Sequence, residues 1–118
     1  MPISIPDLVL TKCEPALRAK HVADIIQVMT FCDIYKNWTV TDIGRNIFPA
    51  ISRDQTAIFY HMRSPIGFVT WANFDDEVHE SLIATGKTPT DGKWNSGSRH
   101  WIIDFASPFI RANRLVSN

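Results

Sequence analysis

The stretch Trp94-Asn95-Ser96-Gly97-Ser98-Arg99-His100-Trp101-Ile102-Ile103-Asp104-Phe105-Ala106-Ser107-Pro108-Phe109 sets a single carboxylate, Asp104, into an apolar and aromatic run behind a turn of small residues. Charged side chains rarely occupy such a run unless they are paired or used. Residues 99–106 are rich in β-formers and closed by Ser107-Pro108, so they read as a strand. Regular alternation puts Trp101, Ile103 and Phe105 on one face, with Ile102 and Asp104 on the other. If the first face is core, Asp104 points toward a cleft or solvent.

Upstream of this strand, residues 87–97 form a polar loop with Pro89, Gly92 and Gly97. Asp75-Asp76-Glu77 places negative charge where a helix macrodipole favours it, and predicts a helix carrying Val78, Leu82 and Ile83 to a Gly86 cap. Residues 55–62 and 66–74 read as an antiparallel hairpin turning at Arg63-Ser64-Pro65. Val22, Ile25, Ile26 and Met29 fall at helical spacing, which predicts a helix from Glu14-Pro15 to about Cys32. Thr41 or Asp42 can cap a short second helix bearing Ile43, Ile47 and Phe48, ended by Pro49. Residues 1–13, with Pro2 and Pro6, read as an extended or irregular arm. The fold class is α+β, a small mostly antiparallel sheet with helices. The chain forms one domain over 1–118: an arm (1–13), a core (14–109) and a C-terminal tail (110–118).

With 118 residues, 45% of them hydrophobic and 20% charged, the chain can bury one core, as a folded domain does. Twelve basic residues balance twelve acidic ones, so net charge offers no reason to expect nucleic acid or an anionic membrane as partner. Two cysteines, Cys13 and Cys32, make neither a metal framework nor a disulfide framework by number or spacing. The N-terminus lacks the basic and apolar regions of a signal peptide, and no apolar run is long enough for a membrane span. A cytoplasmic location is expected.

Six blocks in order carry a resemblance: Asn37-Trp38, Pro49-Ala50-Ile51, Pro65 with Gly67, Trp71-Ala72-Asn73, Trp94-x-Ser96-Gly97, and Trp101-Ile102-Ile103-Asp104 with Pro108-Phe109. On these blocks the chain, from about residue 19 to 109, resembles the RTX toxin-activating lysine acyltransferases, the haemolysin-activating type. The resemblance implies a partial fold like that of the GCN5-related N-acetyltransferases. It also implies transfer of a fatty acyl group from acyl carrier protein to a lysine of a protein substrate, with no bound cofactor or metal. The family's Asp maps onto Asp104. An ammonium must lose its proton before nitrogen can attack a thioester, so a base is required.

Two departures accompany the likeness. Tyr35 stands where the family carries its His, and a phenol with an ordinary pKa of roughly 10 is a poor base at neutral pH, though it can donate to a developing oxyanion. The sequence given stops at Asn118, and residues 110–118 contain no glycine for a phosphate-cradling loop, so loss of the donor seat is expected.

Each candidate has a structural reading beside the functional one. Asp104 is either catalytic or a structural carboxylate held by backbone or by Arg99. His61 and His100 are candidate replacement bases but equally ordinary surface histidines; His21 and His79 lie within helices. Cys32 is a conceivable nucleophile, or a buried inert thiol. Trp38, Trp71, Asn73, Trp94, Ser96, Arg99 and Trp101 are candidates for groove or substrate contact, and the tryptophans serve equally as core. Two functions follow. The preferred reading is a degenerate acyltransferase-like domain acting by protein–protein binding, an inhibitor or adaptor of the kind a phage or mobile element encodes, or a homodimer. The alternative is an active protein-lysine acyltransferase using acyl carrier protein.

Overall fold

The computed structural model describes residues 8–89 and 91–110. The first seven residues of the expected arm, and the expected tail beyond Ile110, lie outside them. Four strands, β1 (Leu8–Lys12), β2 (Thr56–His61), β3 (Ser64–Phe74) and β4 (Arg99–Ala106), form one sheet in the order β1-β2-β3-β4. Every strand pairing is antiparallel, and the fold is α+β as expected. The extended arm supplies β1, an edge strand along β2.

The predicted first helix is divided. A short 3-10 turn at Pro15–Leu17 precedes α1 (Arg18–Met29), and another at Asp33–Tyr35 follows it. Pro15 at the start of the first turn fits a position where its missing N–H costs nothing. The second helix is α2 (Val40–Asn46), and its cap is Thr39, not Thr41 or Asp42. Thr39 Oγ1 accepts from the Asp42 amide at 3.1 Å, while the Asp42 carboxylate accepts from the Thr39 amide at 2.8 Å, a reciprocal capping box. Pro49 does not end this helix; it sits in the first turn of α3 (Phe48–Ser52), where proline is tolerated. The predicted hairpin forms, but its turn is Met62-Arg63, both at positive φ (50° and 72°) as a two-residue primed turn requires. Ser64 and Pro65 therefore belong to β3, and Pro65 is accommodated beside a bulge in β3, where Ile66 is the extra residue opposite Phe59 and Tyr60.

α4 (Asp76–Thr85) begins and ends as its sequence indicates. Asp75 accepts from the Val78 amide at 2.8 Å, and Gly86 closes the helix in the left-handed conformation at φ 69°. A 3-10 turn at Asp91–Lys93 then leads to Trp94, which is fully buried.

One helix-covered face of the sheet carries two apolar clusters. Ile25, Val28 and Met29 of α1 pack with Tyr35, Ile47, Ile51, Ile58, Phe68 and Ala106. Ala50, Ala72, Phe74, Val78, Leu82 and Trp94 form the second. A third, smaller cluster joins Phe59, Ile66 and Ile110, with Val69 and Phe105 against it.

The register between β3 and β4 overturns the alternation read from sequence. Ile102 pairs with Trp71 and Asp104 with Thr70, so Ile103 is an extra residue, a bulge. Directly opposed residues share a face. Asp104 therefore lies with Thr70, and Trp101 with Ala72, on the same helix-covered side, whereas Ile102 is 61% exposed. Asp104 does not share a face with Ile102, because the bulge resets the period.

Candidate active site

The site is built where the chain leaves α1. After Met29 the backbone turns through Thr30 and Phe31, and the Asp33–Tyr35 turn brings Tyr35 back over the sheet. Its ring stacks on Phe68 (centroids 6.2 Å apart, 25° between planes) and takes Trp38 edge-on at 4.8 Å and 82°. These contacts leave Tyr35 only 6% exposed and fix its hydroxyl. That hydroxyl donates to Asp104 Oδ1 at 3.1 Å. The Asp104 amide in turn donates to Thr70 Oγ1 at 3.1 Å, which pins the strand just after the bulge. Among the described residues no donor reaches Asp104 Oδ2.

A groove of about 430 Å³ opens over this pair. Phe31, Cys32 and Ile34 line one side; Asp104, Phe105 and Pro108 line the other. Burial pushes the Asp104 carboxyl above the ordinary carboxylate range, and the Tyr35 hydrogen bond offsets part of that rise. Tyr35 is raised as well, first by burial and then by the neighbouring Asp104 charge, so the phenol stays protonated at neutral pH. Cys32 is half-buried and donates to the Val28 carbonyl at 3.5 Å. Burial, reinforced by the Asp33 charge, pushes its thiol up, away from nucleophilic use. The arrangement offers a carboxylate held by a phenol donor on Oδ1, its Oδ2 meeting no donor among the described residues, in an open, partly apolar trough.

The other residues singled out from sequence divide into three groups. Trp38 belongs to the Tyr35 environment. Trp71, Asn73 and Trp101, with His100 and Ile102, line a separate groove of about 410 Å³. There His100 Nδ1 lies 2.6 Å from Asn73 Oδ1, and Trp101 Nε1 donates to His79 Nδ1 at 3.0 Å. Trp94 and Ser96 line neither groove. Trp94 packs edge-on against Phe74 in the core, and Ser96 Oγ accepts from the Asp75 amide at 3.0 Å. Gly97 completes this unit: a Cβ there would stand 2.5 Å from Asp75 Cα. The Trp94-x-Ser96-Gly97 block thus fastens the loop to the start of α4. Arg99 does not hold Asp104; it pairs with Asp76 at 2.9 Å. His21 is buried, and His61 half-buried. Sequence reading missed Thr70, because a threonine in a strand is an ordinary β-former until its register partner is known. Among the described residues no three His, Cys, Asp or Glu side chains gather as a metal site requires, and no helix is long and apolar enough to cross a membrane.

Comparison with known proteins agrees with the blocks that led to this site. Residues 16–118 match the RTX toxin acyltransferase family, HlyC. The chain belongs to that family. It is 31% identical over 85 residues to the leukotoxin-activating lysine-acyltransferase LktC of a Pasteurella haemolytica-like species (strain 5943B), covering 72% of this chain and 52% of that protein. The RTX-III toxin-activating lysine-acyltransferase ApxIIC of Actinobacillus pleuropneumoniae is 37% identical over 84 residues, 70% of this chain and 47% of that one. The protein-lysine myristoyltransferase RtxC of Kingella kingae is 27% identical over 89 residues, 75% and 53%. The chain spans about half the length of the curated relatives it matches.

Proposed function

We propose that this domain carries the lysine side of an acyl transfer from a thioester donor, of the acyl carrier protein kind, to a protein lysine. The observation that carries the reading is the Tyr35–Asp104 hydrogen bond on the wall of an open groove. The relatives' names point the same way, since each is a lysine acyltransferase and one is a myristoyltransferase. In this reading Asp104 Oδ2 accepts a proton from the incoming lysine ammonium. The freed amine attacks the thioester carbonyl, the tetrahedral intermediate expels the donor thiolate, and the leaving sulfur takes a proton from the newly formed ammonium-like nitrogen. A carboxylate with a raised pKa is a better proton acceptor than an ordinary one. Tyr35, with its one proton directed at Asp104, is a positioning residue here and not a base.

The test is transfer from an acylated carrier protein to a lysine peptide, followed by mass spectrometry. Asp104→Asn, nearly the same shape, is expected to lower the rate about 10²–10⁴-fold. A wild-type chain inert toward donors of every chain length overturns the reading; capture of a stoichiometric protein partner by such an inert chain would support a binding role instead.

A further inference from the structure

Eight residues of β4 face seven of β3, so one residue has to be absorbed between them. Trp101, opposite Ala72, and Ile103 pack against the cluster of Phe74 and Trp94. Phe105, opposite Val69, packs with Phe59, Ile66 and Ile110. Val69 and Thr70 are consecutive, so Phe105 and the Thr70 side chain lie on opposite faces of the sheet. These anchors leave two neighbouring places for the extra residue. As found, Ile103 and Asp104 together oppose Thr70. One place further on, Ile103 alone would oppose Thr70, and Asp104 would turn with Phe105 to the face away from Tyr35.

Apolar packing does not decide between the two arrangements, because Trp101, Ile103 and Phe105 keep their faces in both. Only Asp104 changes sides. Hydration favours the outward place, since the inward one half-buries a carboxylate. Hydrogen bonding favours the inward one. There the Asp104 amide donates to Thr70 Oγ1 at 3.1 Å, and the carboxylate accepts from Tyr35. Val69, which would face Asp104 in the other arrangement, has no acceptor in its side chain. Thr70 is 0% exposed, and a hydroxyl so buried costs free energy unless it is used. Valine has nearly the same shape without that acceptor.

We infer that Thr70 is a positioning residue: its hydroxyl fixes the extra residue at Ile103 and thereby turns Asp104 toward Tyr35 and the groove. The placement stands on its own; its bearing on rate rests on the acyl-transfer reading.

Thr70→Val and Thr70→Ser separate the hydroxyl from the methyl. A residue that only fills space tolerates valine and suffers from serine; the reverse order is expected here. In Thr70→Val, cross-strand NOEs should show position 70 opposite Ile103 alone, and the Asp104 carboxyl titration followed by NMR should fall toward the ordinary carboxylate range. Its kcat for transfer to a lysine peptide should drop about 10²-fold or more, with KM little changed. Thr70→Ser should keep the wild-type register and titration. Deleting Ile103 leaves seven residues facing seven, with Asp104 opposite position 70 and nothing to absorb. Thr70→Val in that background should leave Asp104 inward, a comparison that holds even if Thr70→Val alone folds poorly. Unchanged register and titration in Thr70→Val, an equal loss in Thr70→Ser, or an outward Asp104 in the deleted chain carrying Thr70→Val overturns the proposal. A shifted register with an unaltered transfer rate would instead sink the catalytic reading of Asp104 and leave its placement by Thr70 standing.

Discussion

Tyr35 and Asp104 are worth more to each other than either is alone. A half-buried carboxylate pays for lost hydration, and one phenol proton returns part of that cost. Because the folded pKa of Asp104 lies above its ordinary value of 3.8, the native state holds its proton more tightly than the unfolded chain does. The resulting stabilisation is fully present below that ordinary value and is lost as pH climbs through the raised one. Asp104→Asn is therefore expected to be more stable than wild type at pH 7, with a flatter stability profile across the same window, measured by urea unfolding at several pH values. Tyr35→Phe removes the one interaction that lowers the Asp104 pKa. The acid limb of the transfer profile should then move to higher pH, and the Asp104 carboxyl titration followed by NMR should move with it. An unmoved titration would show that the 3.1 Å contact does not act on the carboxylate.

Among the elements, two glycines that look alike in sequence have opposite roles. Gly97 presses against Asp75 and the Phe74 carbonyl, with backbone atoms 2.5 to 2.6 Å from any added Cβ. Gly44 lies on exposed α2 with nothing within 4 Å. Gly97→Ala should cost about 1–3 kcal/mol by overpacking. Gly44→Ala should add about 0.5–1 kcal/mol by removing the helical glycine penalty. Equilibrium denaturation of both variants checks the contrast, and equal effects would contradict the close approach at Gly97. The same attachment explains why Trp94, Ser96 and Gly97 keep company: one fills the core, one caps a strand-to-helix junction, and one permits the contact.

Across the molecule, stability is distributed unevenly. β2 and β3 are the inner strands and are covered by α1 and α3, whereas β1 is an edge strand with Val9 and Leu10 more than half exposed. α1 is fastened to β2 by the Tyr60 hydroxyl, which donates to Asp24 and accepts from the Lys20 ammonium at 3.3 Å. Amide hydrogen exchange should be slowest at Ile58, Phe68 and Thr70 and fastest along β1, because opening an edge exposes little apolar surface. Uniform protection of all four strands would show that the domain opens only as a whole.

Much of this was legible in local chemistry. Period, cap and turn residues act over a few positions, so residues 99–106 as a strand, α4 with Asp75 and Gly86 at its ends, and the hairpin were all readable. Asp104 stood out because a carboxylate in an apolar strand is costly wherever that strand goes. The Thr39 cap was missed because Thr39, Thr41 and Asp42 offer competing oxygens within four residues, and geometry chooses among them. The face taken by Asp104 depended on a bulge that carries no local mark, since Ile103 is as good a strand residue as its neighbours. That Asp104 would meet a tyrosine 69 positions away, and that Trp94 would be buried while Trp38 lined a cavity, came from long-range packing. Chain-distant contacts are selected by how whole elements fill space against one another, and no short window of sequence contains that information.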